Sequence, residues 1–269
     1  VIDIHCHLLP GVDDGPGSMR EAVAMARVAV DNGIRTMVCT PHVHERYVTG
    51  PDAVMEGVER LRAALAREEV PLEVLPGGEI ALSILPRLGD DDLRGLSLGG
   101  GGWLLLELPF RGWPIGLGET LRDLEIRGFR AVLAHPERAE SVQLAPDRLR
   151  DVVGRGALLQ ITAGSFTGEH GARSRRAAQT LARNGLLHFL ASDAHSAGWR
   201  PPELRDGLAA AAAELRLPEE DVAWTVTEGP RLLIQGHDVR PPRLTRERRL
   251  RGAERRERTA PPRPRRTSA

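Results

Sequence analysis

The sequence predicts an α/β fold built on a parallel sheet, on three observations. Seven short apolar runs of about four to seven residues recur along the chain without alternation, as in strands buried on both faces. A polar cluster and then an amphipathic stretch follow most of them, the rhythm of βα units. Hydrophobic residues make up 41% of the chain but aromatics only 3%, so the core must be packed from Leu, Val, Ile and Ala.

The first run, residues 1–5, ends in His5. Ser18 and Glu21 then form a capping-box pattern, opening a helix over 22–31 that Gly33 stops in the left-handed conformation. Strands are expected at 34–40 and 72–75, with a helix over 53–68 between them. Strands at 103–108, 130–134, 157–162 and 187–191 follow, separated by helices over 118–127, 146–153 and 174–184, the last closed by Gly185. A helix over 202–215 and a short one that starts at Pro230 and ends at Gly236 complete the series. The Gly99–Gly102 run reads as a turn and not a phosphate loop, because no Gly-Lys-Ser/Thr follows it.

The formal charge is zero but unevenly placed. Residues 240–269 hold twelve arginines against Glu247, Glu254 and Glu257, a net of +9, which leaves −9 on residues 1–239. Every basic residue is arginine. From Pro241 onward proline and arginine dominate and periodicity is lost, so 240–269 is expected to be a disordered tail. Contact of this tail with nucleic acid or an anionic membrane is weighed against a plain solvated extension, and the extension is preferred. Cys6 and Cys39 are too few for a disulfide scaffold. No apolar run reaches the roughly 20 residues of a membrane span, and no signal-peptide pattern opens the chain, so the expected compartment is the cytoplasm.

The chemistry lies in where the histidines and acids fall. His5 and His7 close the first strand, Asp13 and Asp14 follow in its loop, and His42 follows the second strand. Glu79 lies just past the third, Glu107 near the end of the fourth, and His135 ends the fifth. Asp193 and His195 follow the last strand. In a barrel of parallel strands these ends meet on one face. Alternation sends His5 and His7 to one side and Cys6 to the other. So many carboxylates and imidazoles in one pocket need neutralising, and nitrogen and oxygen donors without thiolate suit Mn, Fe or Zn. Such ions lower the proton affinity of water and hold phosphoryl oxygens. Spacing alone does not choose between Asp13 and Asp14. Arg138 and Arg200 are candidate phosphate ligands, with Glu137 or Glu140 as alternative partners of Arg138. His44, His170, His188 and His237 are assigned to surface or core roles. A thiol nucleophile with the Cys-x5-Arg pattern is excluded, since the required positions hold Val12 and Glu45.

These residues carry a resemblance. His5-Cys6-His7-Leu8-Leu9-Pro10-Gly11-Val12-Asp13-Asp14-Gly15-Pro16 resembles the opening motif of the PHP (polymerase and histidinol phosphatase) superfamily. More closely, the chain resembles the bacterial manganese-dependent protein-tyrosine phosphatases of the CpsB/CapC capsule-synthesis type. Thr40-Pro41-His42, Gly78-Glu79, Leu106-Glu107, the block from Ala134 to Arg138, the block from Gln160 to Ser165 and the block from Ala191 to His195 match in order across residues 1–239. The loop from Val43 to Tyr47 matches only loosely, the glycine run is unusual, and the tail lies outside the match.

The resemblance implies a distorted (β/α)7 TIM-like barrel in a single domain, residues 1–239, followed by the 240–269 tail. It implies three Mn²⁺ sites: His5, His7, Glu79 and Asp193; Glu79, Glu107 and His135; and Asp14, His42 and His195. Arg138, Asp14, His42, His195 and Arg200 are then the expected catalytic groups. The implied substrate is a tyrosine-phosphorylated protein, above all a tyrosine kinase of exopolysaccharide export. A small phosphate monoester such as histidinol phosphate, or a nucleic acid, is the alternative for the same site. A metal-stabilised scaffold is the alternative outside enzymes, disfavoured because a structural site closes with about four ligands.

Overall fold

The computed structural model describes residues 1–244. Seven strands lie where expected: β1 (Ile2–Cys6), β2 (Thr36–Cys39), β4 (Glu73–Pro76), β6 (Trp103–Glu107), β7 (Arg130–Ala134), β8 (Leu158–Thr162) and β9 (Phe189–Ala191). Two more, β3 (His42–Val43) and β5 (Glu79–Ala81), are short resumptions of β2 and β4 past the breaks at Thr40-Pro41 and Gly77-Gly78. All pairings are parallel, in a three-stranded sheet β1-β2-β4 and a six-stranded sheet β3-β5-β6-β7-β8-β9. The end of β9 meets β1. Asp193 N donates to His5 O, His7 N donates to Ala194 O, and Cys6 and Ala194 form an isolated parallel bridge.

Alternation along the strands separates two apolar layers. Ile4, Val38, Leu105, Val132 and Phe189 face a small inner core, closed at one end by Leu98 and by Leu233 of the helix Glu228–Ile234. Met37, Leu104, Leu106, Leu133, Leu159 and Leu190 face outward into the larger core under the helices. Each fully buried aliphatic side chain there contributes about 1.5–3 kcal/mol. The polar cluster lies at the opposite end of the inner core from Leu233, where the strands finish.

The helices follow their punctuation. Met19–Asp31 opens at Ser18, whose hydroxyl accepts from Glu21 N, but Glu21 takes the Gly17 amide at 2.7 Å and leaves the reciprocal bond of a capping box unmade. The glycine run turns sharply, with positive φ at Gly99, Gly100 and Gly102. Gly101 has a different role: a Cβ there would lie 2.5 Å from Leu233 O, so the bare backbone lets the last helix dock. The packed body also runs past the expected boundary at 239, since Leu244 is buried against the outer core. The remainder of the expected tail, 245–269, lies outside the described residues.

Candidate metal centre

The ends of β1, β3, β5, β6, β7 and β9 bring all nine expected ligand residues together. Their ligand atoms fall into four groups, each within 4.8 Å: His7, Asp14, His42 and His195; His5, His7 and Asp193; His5, Glu79 and His135; and His42, Glu79 and Glu107. His5, His7, His42 and Glu79 each belong to two groups, so these are overlapping positions of one nest.

The tautomers follow from the outer partners. Gln160 Oε1 accepts the His135 amide at 3.3 Å, which fixes that oxygen in place, and it also accepts His5 Nδ1–H at 2.8 Å. His5 Nε2 therefore carries a lone pair. Asp13 accepts His7 Nδ1–H at 2.7 Å, and Asp193 O accepts His195 Nδ1–H at 3.0 Å. In neutral His7 and His195 the Nε2 atoms are thus lone pairs as well. His5 Nε2 and His7 Nε2 lie 3.3 Å apart. Two facing lone pairs repel unless a proton or a metal ion lies between them. Glu79 Oε2 is buried 3.4 Å from both of these nitrogens and 2.9 Å from His42 Nδ1, yet it makes no aligned hydrogen bond, and neither does His42 Nδ1. Asp193 Oδ1 stands 3.5 Å from the same two Nε2 atoms. An unbonded buried carboxylate oxygen facing three imidazoles fits a divalent cation bound by nitrogen and oxygen.

The electrostatics agree. Burial opposes charge on His7, but the hydrogen bond to Asp13 and the close Asp193 and Glu79 carboxylates outweigh it and hold the imidazole well above its usual range. Burial likewise opposes charge on Glu79 and Asp193, and the surrounding histidines, with Arg200 for Asp193, drive both carboxyls well down. Glu107 is pushed up to about 7 by burial and then by the nearby Glu79 charge. Asp14 is held low, first by its hydrogen bond with His195. A proton on His7 is what balances these anions when no metal does.

The adjacent acids separate cleanly. Asp14 faces His42 Nε2 at 3.5 Å and His195 Nε2 at 3.4 Å, inside the nest. Asp13 stands behind it, accepting from His7, Gly15 N and His42 N. Arg138 pairs with neither Glu137 nor Glu140; it donates to Asp193 Oδ2. Arg200 joins it there, donating to Asp193 Oδ2 at 2.6 Å and to Asp193 O at 2.7 Å. One carboxylate thus turns Oδ1 to the imidazoles and Oδ2 to two guanidiniums. His135 and Asp193 both adopt positive φ, at 29° and 51°, a conformation that costs a non-glycine residue about 1–3 kcal/mol and that clusters at working sites.

Several supporting residues escaped the sequence reading. Asp3, fully buried, accepts the Ser192 hydroxyl at 2.5 Å, the Ser192 amide and the His5 amide, tying the Asp193 loop to β1. Burial raises its carboxyl to about 6. Glu137 accepts from Thr162 N and the Ser165 hydroxyl, pinning the turn that carries Arg138 to the end of β8. An acid inside an apolar strand was a readable signal for Asp3; Glu137 offered none apart from its motif. His170 is pushed down to about 4 by burial and then by the Arg138 charge. His188 is a satisfied core residue that accepts from Leu159 N at 3.0 Å, as expected.

Comparison with known proteins agrees with this geometry. The sequence model of the family described as "Capsular polysaccharide synthesis, CpsB/CapC" matches residues 1–234. The chain is 36% identical over 257 residues to the tyrosine-protein phosphatase YwqE of Bacillus subtilis, covering 94% of this chain and 99% of that one. It is 32% identical over 204 residues to the putative tyrosine-protein phosphatase CapC of Staphylococcus aureus, covering 75% of this chain and 79% of that one. A chain from the crystal structures of YwqE from Bacillus subtilis and CpsB from Streptococcus pneumoniae, described as unique metal-dependent tyrosine phosphatases, superposes with a TM-score of 0.81 at 33% identity. That match covers 91% of this chain and 98% of the other.

Proposed function

The chain belongs to the CpsB/CapC family of capsular polysaccharide synthesis, and from that premise we propose that it is a manganese-dependent protein-tyrosine phosphatase. The observation that carries the reading is Glu79 Oε2, buried without an aligned hydrogen bond where three imidazoles converge. The nest offers nitrogen and oxygen donors and no thiolate, a set that suits Mn²⁺. His5, His7, Glu79 and Asp193 would hold one ion, Glu79 with His135 and Glu107 a second, and Asp14, His42 and His195 a third. Bound divalent ions supply Lewis acidity and lower the proton affinity of water.

The chain's own groups do the rest. Arg138 and Arg200, both on Asp193 Oδ2 beside the nest, would fork onto phosphate oxygens and fix the phosphoryl group there. Asp14 is half exposed beside His42 and His195, where it would accept a hydrogen bond from the attacking water and orient it. Asp13 and Gln160 keep the imidazole tautomers that leave Nε2 free. The two sheets are read as one distorted seven-stranded barrel, with β2–β3 and β4–β5 each a single broken strand and the β9–β1 bonds as the seam. The substrate is a tyrosine-phosphorylated protein, with a kinase of polysaccharide export as the proposed partner. A cytoplasmic setting accords with Cys6 and Cys39 being free thiols.

The test is hydrolysis of a phosphotyrosine peptide beside a phosphoserine peptide and histidinol phosphate, with and without Mn²⁺, using His135→Ala as the inactive control. Manganese-dependent turnover that favours phosphotyrosine is expected. Preference for histidinol phosphate would remove the tyrosine assignment and leave the metal site.

A further inference from the structure

Beside the nest lies a second cavity of about 420 Å³ whose walls include Leu82, Pro86, Pro109, Phe110 and Ile115 and whose inner edge is Glu107. Glu107 is shared. One carboxylate borders the cleft and also stands 3.8 Å from His135 Nε2, so the cleft opens directly off the candidate active site. Phe110 is the wall between them. Its ring stacks on His135 at 6.0 Å with the planes 10° apart, and the Arg138 guanidinium lies 5.3 Å over the same ring.

We propose that this cleft is a specificity subsite, receiving an apolar side chain that flanks the phosphotyrosine of a protein substrate. The inference rests on the tyrosine-phosphatase reading and deepens it. Three features select the occupant. No arginine lines the cleft and its one ionisable group is Glu107, so nothing in it attracts phosphate and it does not serve as an extension of the phosphate site. Its walls carry large apolar groups that water does not favour: Ile115 is fully exposed and Phe110 is 47% exposed. Pro86, Pro109 and Pro114 stiffen the walls and bring no N–H, so a passing peptide is held through a side chain and not by strand addition. The rest of the rim has the same character. Tyr47 stacks on His42 at 6.0 Å, and Arg200 lies over Trp199, which is 76% exposed. Three of only nine aromatic residues in the chain therefore border the site's own side chains.

The experiment uses the full chain loaded with Mn²⁺ and phosphotyrosine peptides that differ only in the residues flanking the phosphotyrosine, leucine against aspartate, with phenyl phosphate as a substrate that has no flanks. The wild type is expected to favour a leucine-flanked peptide about tenfold in kcat/KM, carried mainly by KM. Ile115→Asp should erase that preference and leave kcat/KM for phenyl phosphate unchanged, while Ile115→Leu keeps it. Ile115 makes no buried contact to lose, and Leu82→Asp gives a second, independent wall. Phosphotyrosine turnover without any dependence on flanking residues would overturn the subsite and leave the tyrosine-phosphatase reading standing. So would a preference that survived both aspartate variants. Turnover of phenyl phosphate with no cleavage of any phosphotyrosine peptide would overturn both readings.

Discussion

Changing Asp13 and, separately, Asp14 to asparagine tests whether these neighbours divide the work as their contacts indicate. Asp13 Oδ2 accepts from His7 Nδ1 at 2.7 Å and from His42 N at 3.0 Å, while Oδ1 accepts from Gly15 N at 3.0 Å. Asparagine has one carbonyl oxygen and one NH2, so either orientation turns a donor onto a donor. That mismatch costs about 1–3 kcal/mol of stability. It also frees the ring of His7. Loss of such an outer partner weakens metal binding about 10–100-fold, or about 1.4–2.7 kcal/mol. In Asp13→Asn the Mn²⁺ concentration for half-maximal phosphotyrosine-peptide hydrolysis should therefore rise by that factor, with kcat at saturating metal within about threefold of wild type. Asp14 is half exposed and faces only His42 and His195, so Asp14→Asn should leave stability within about 0.5 kcal/mol. Its kcat should instead stay about 100-fold down even at saturating metal, beyond any loss of affinity at the third site. Metal titration of activity and thermal melts of both variants decide the matter. Recovery of Asp14→Asn by added metal, with Asp13→Asn inactive throughout, would refute the division.

Other expectations follow from single contacts. His188 is held neutral by burial with its pKa lowered to about 4, against about 6.5 in the unfolded chain. Its contribution is complete above pH 6.5 and is lost as pH falls toward 4, by about 3 kcal/mol. His188→Asn keeps an acceptor for Leu159 N and should flatten the acid limb of the stability profile measured by urea melts; an unchanged slope would contradict the burial argument. Arg138→Lys and Arg200→Lys each replace a fork with a point charge and should lower kcat/KM for phosphotyrosine peptide about 10–1000-fold, far more than a modest fall in melting temperature from the weakened Asp193 contacts accounts for. Gly101→Ala places a Cβ 2.5 Å from Leu233 O and should destabilise the chain by about 1–3 kcal/mol, visible as a lower urea midpoint at unchanged activity per folded molecule. Chelation should abolish activity and lower the melting temperature while the far-ultraviolet circular dichroism stays native; restored Mn²⁺ at 100 times its Kd returns about 2.7 kcal/mol.

Much of the fold was legible because buried parallel strands announce themselves as unbroken apolar runs. The runs ending in His5, Glu107 and His135 needed no tertiary information. β3 and β5 were missed for a physical reason: strands of two and three residues have too short a period to read, and they are strands only because a neighbour supplies the ladder. That the nine expected ligand residues would meet was legible from their place at strand ends. Their outer partners were not. Whether Asp13 or Asp14 enters the nest depends on a turn of a few residues, and Arg138 chose Asp193, 55 positions away, over the two glutamates beside it. Local charge spacing predicts helix-surface pairs, and Arg138 sits on no such surface.

The nest draws on residues 5 to 195; its near neighbours in sequence are His5 with His7 and Asp193 with His195, and neither pair alone completes a site. Every other donor reaches the site through its own strand register. During synthesis the first histidines therefore emerge with nothing to complete their coordination, and Asp193 and His195 come some 190 residues later. Tight capture has to wait until β9 has closed against β1. On the proposed reading, which metal is kept would then depend on the ion supply when the site closes.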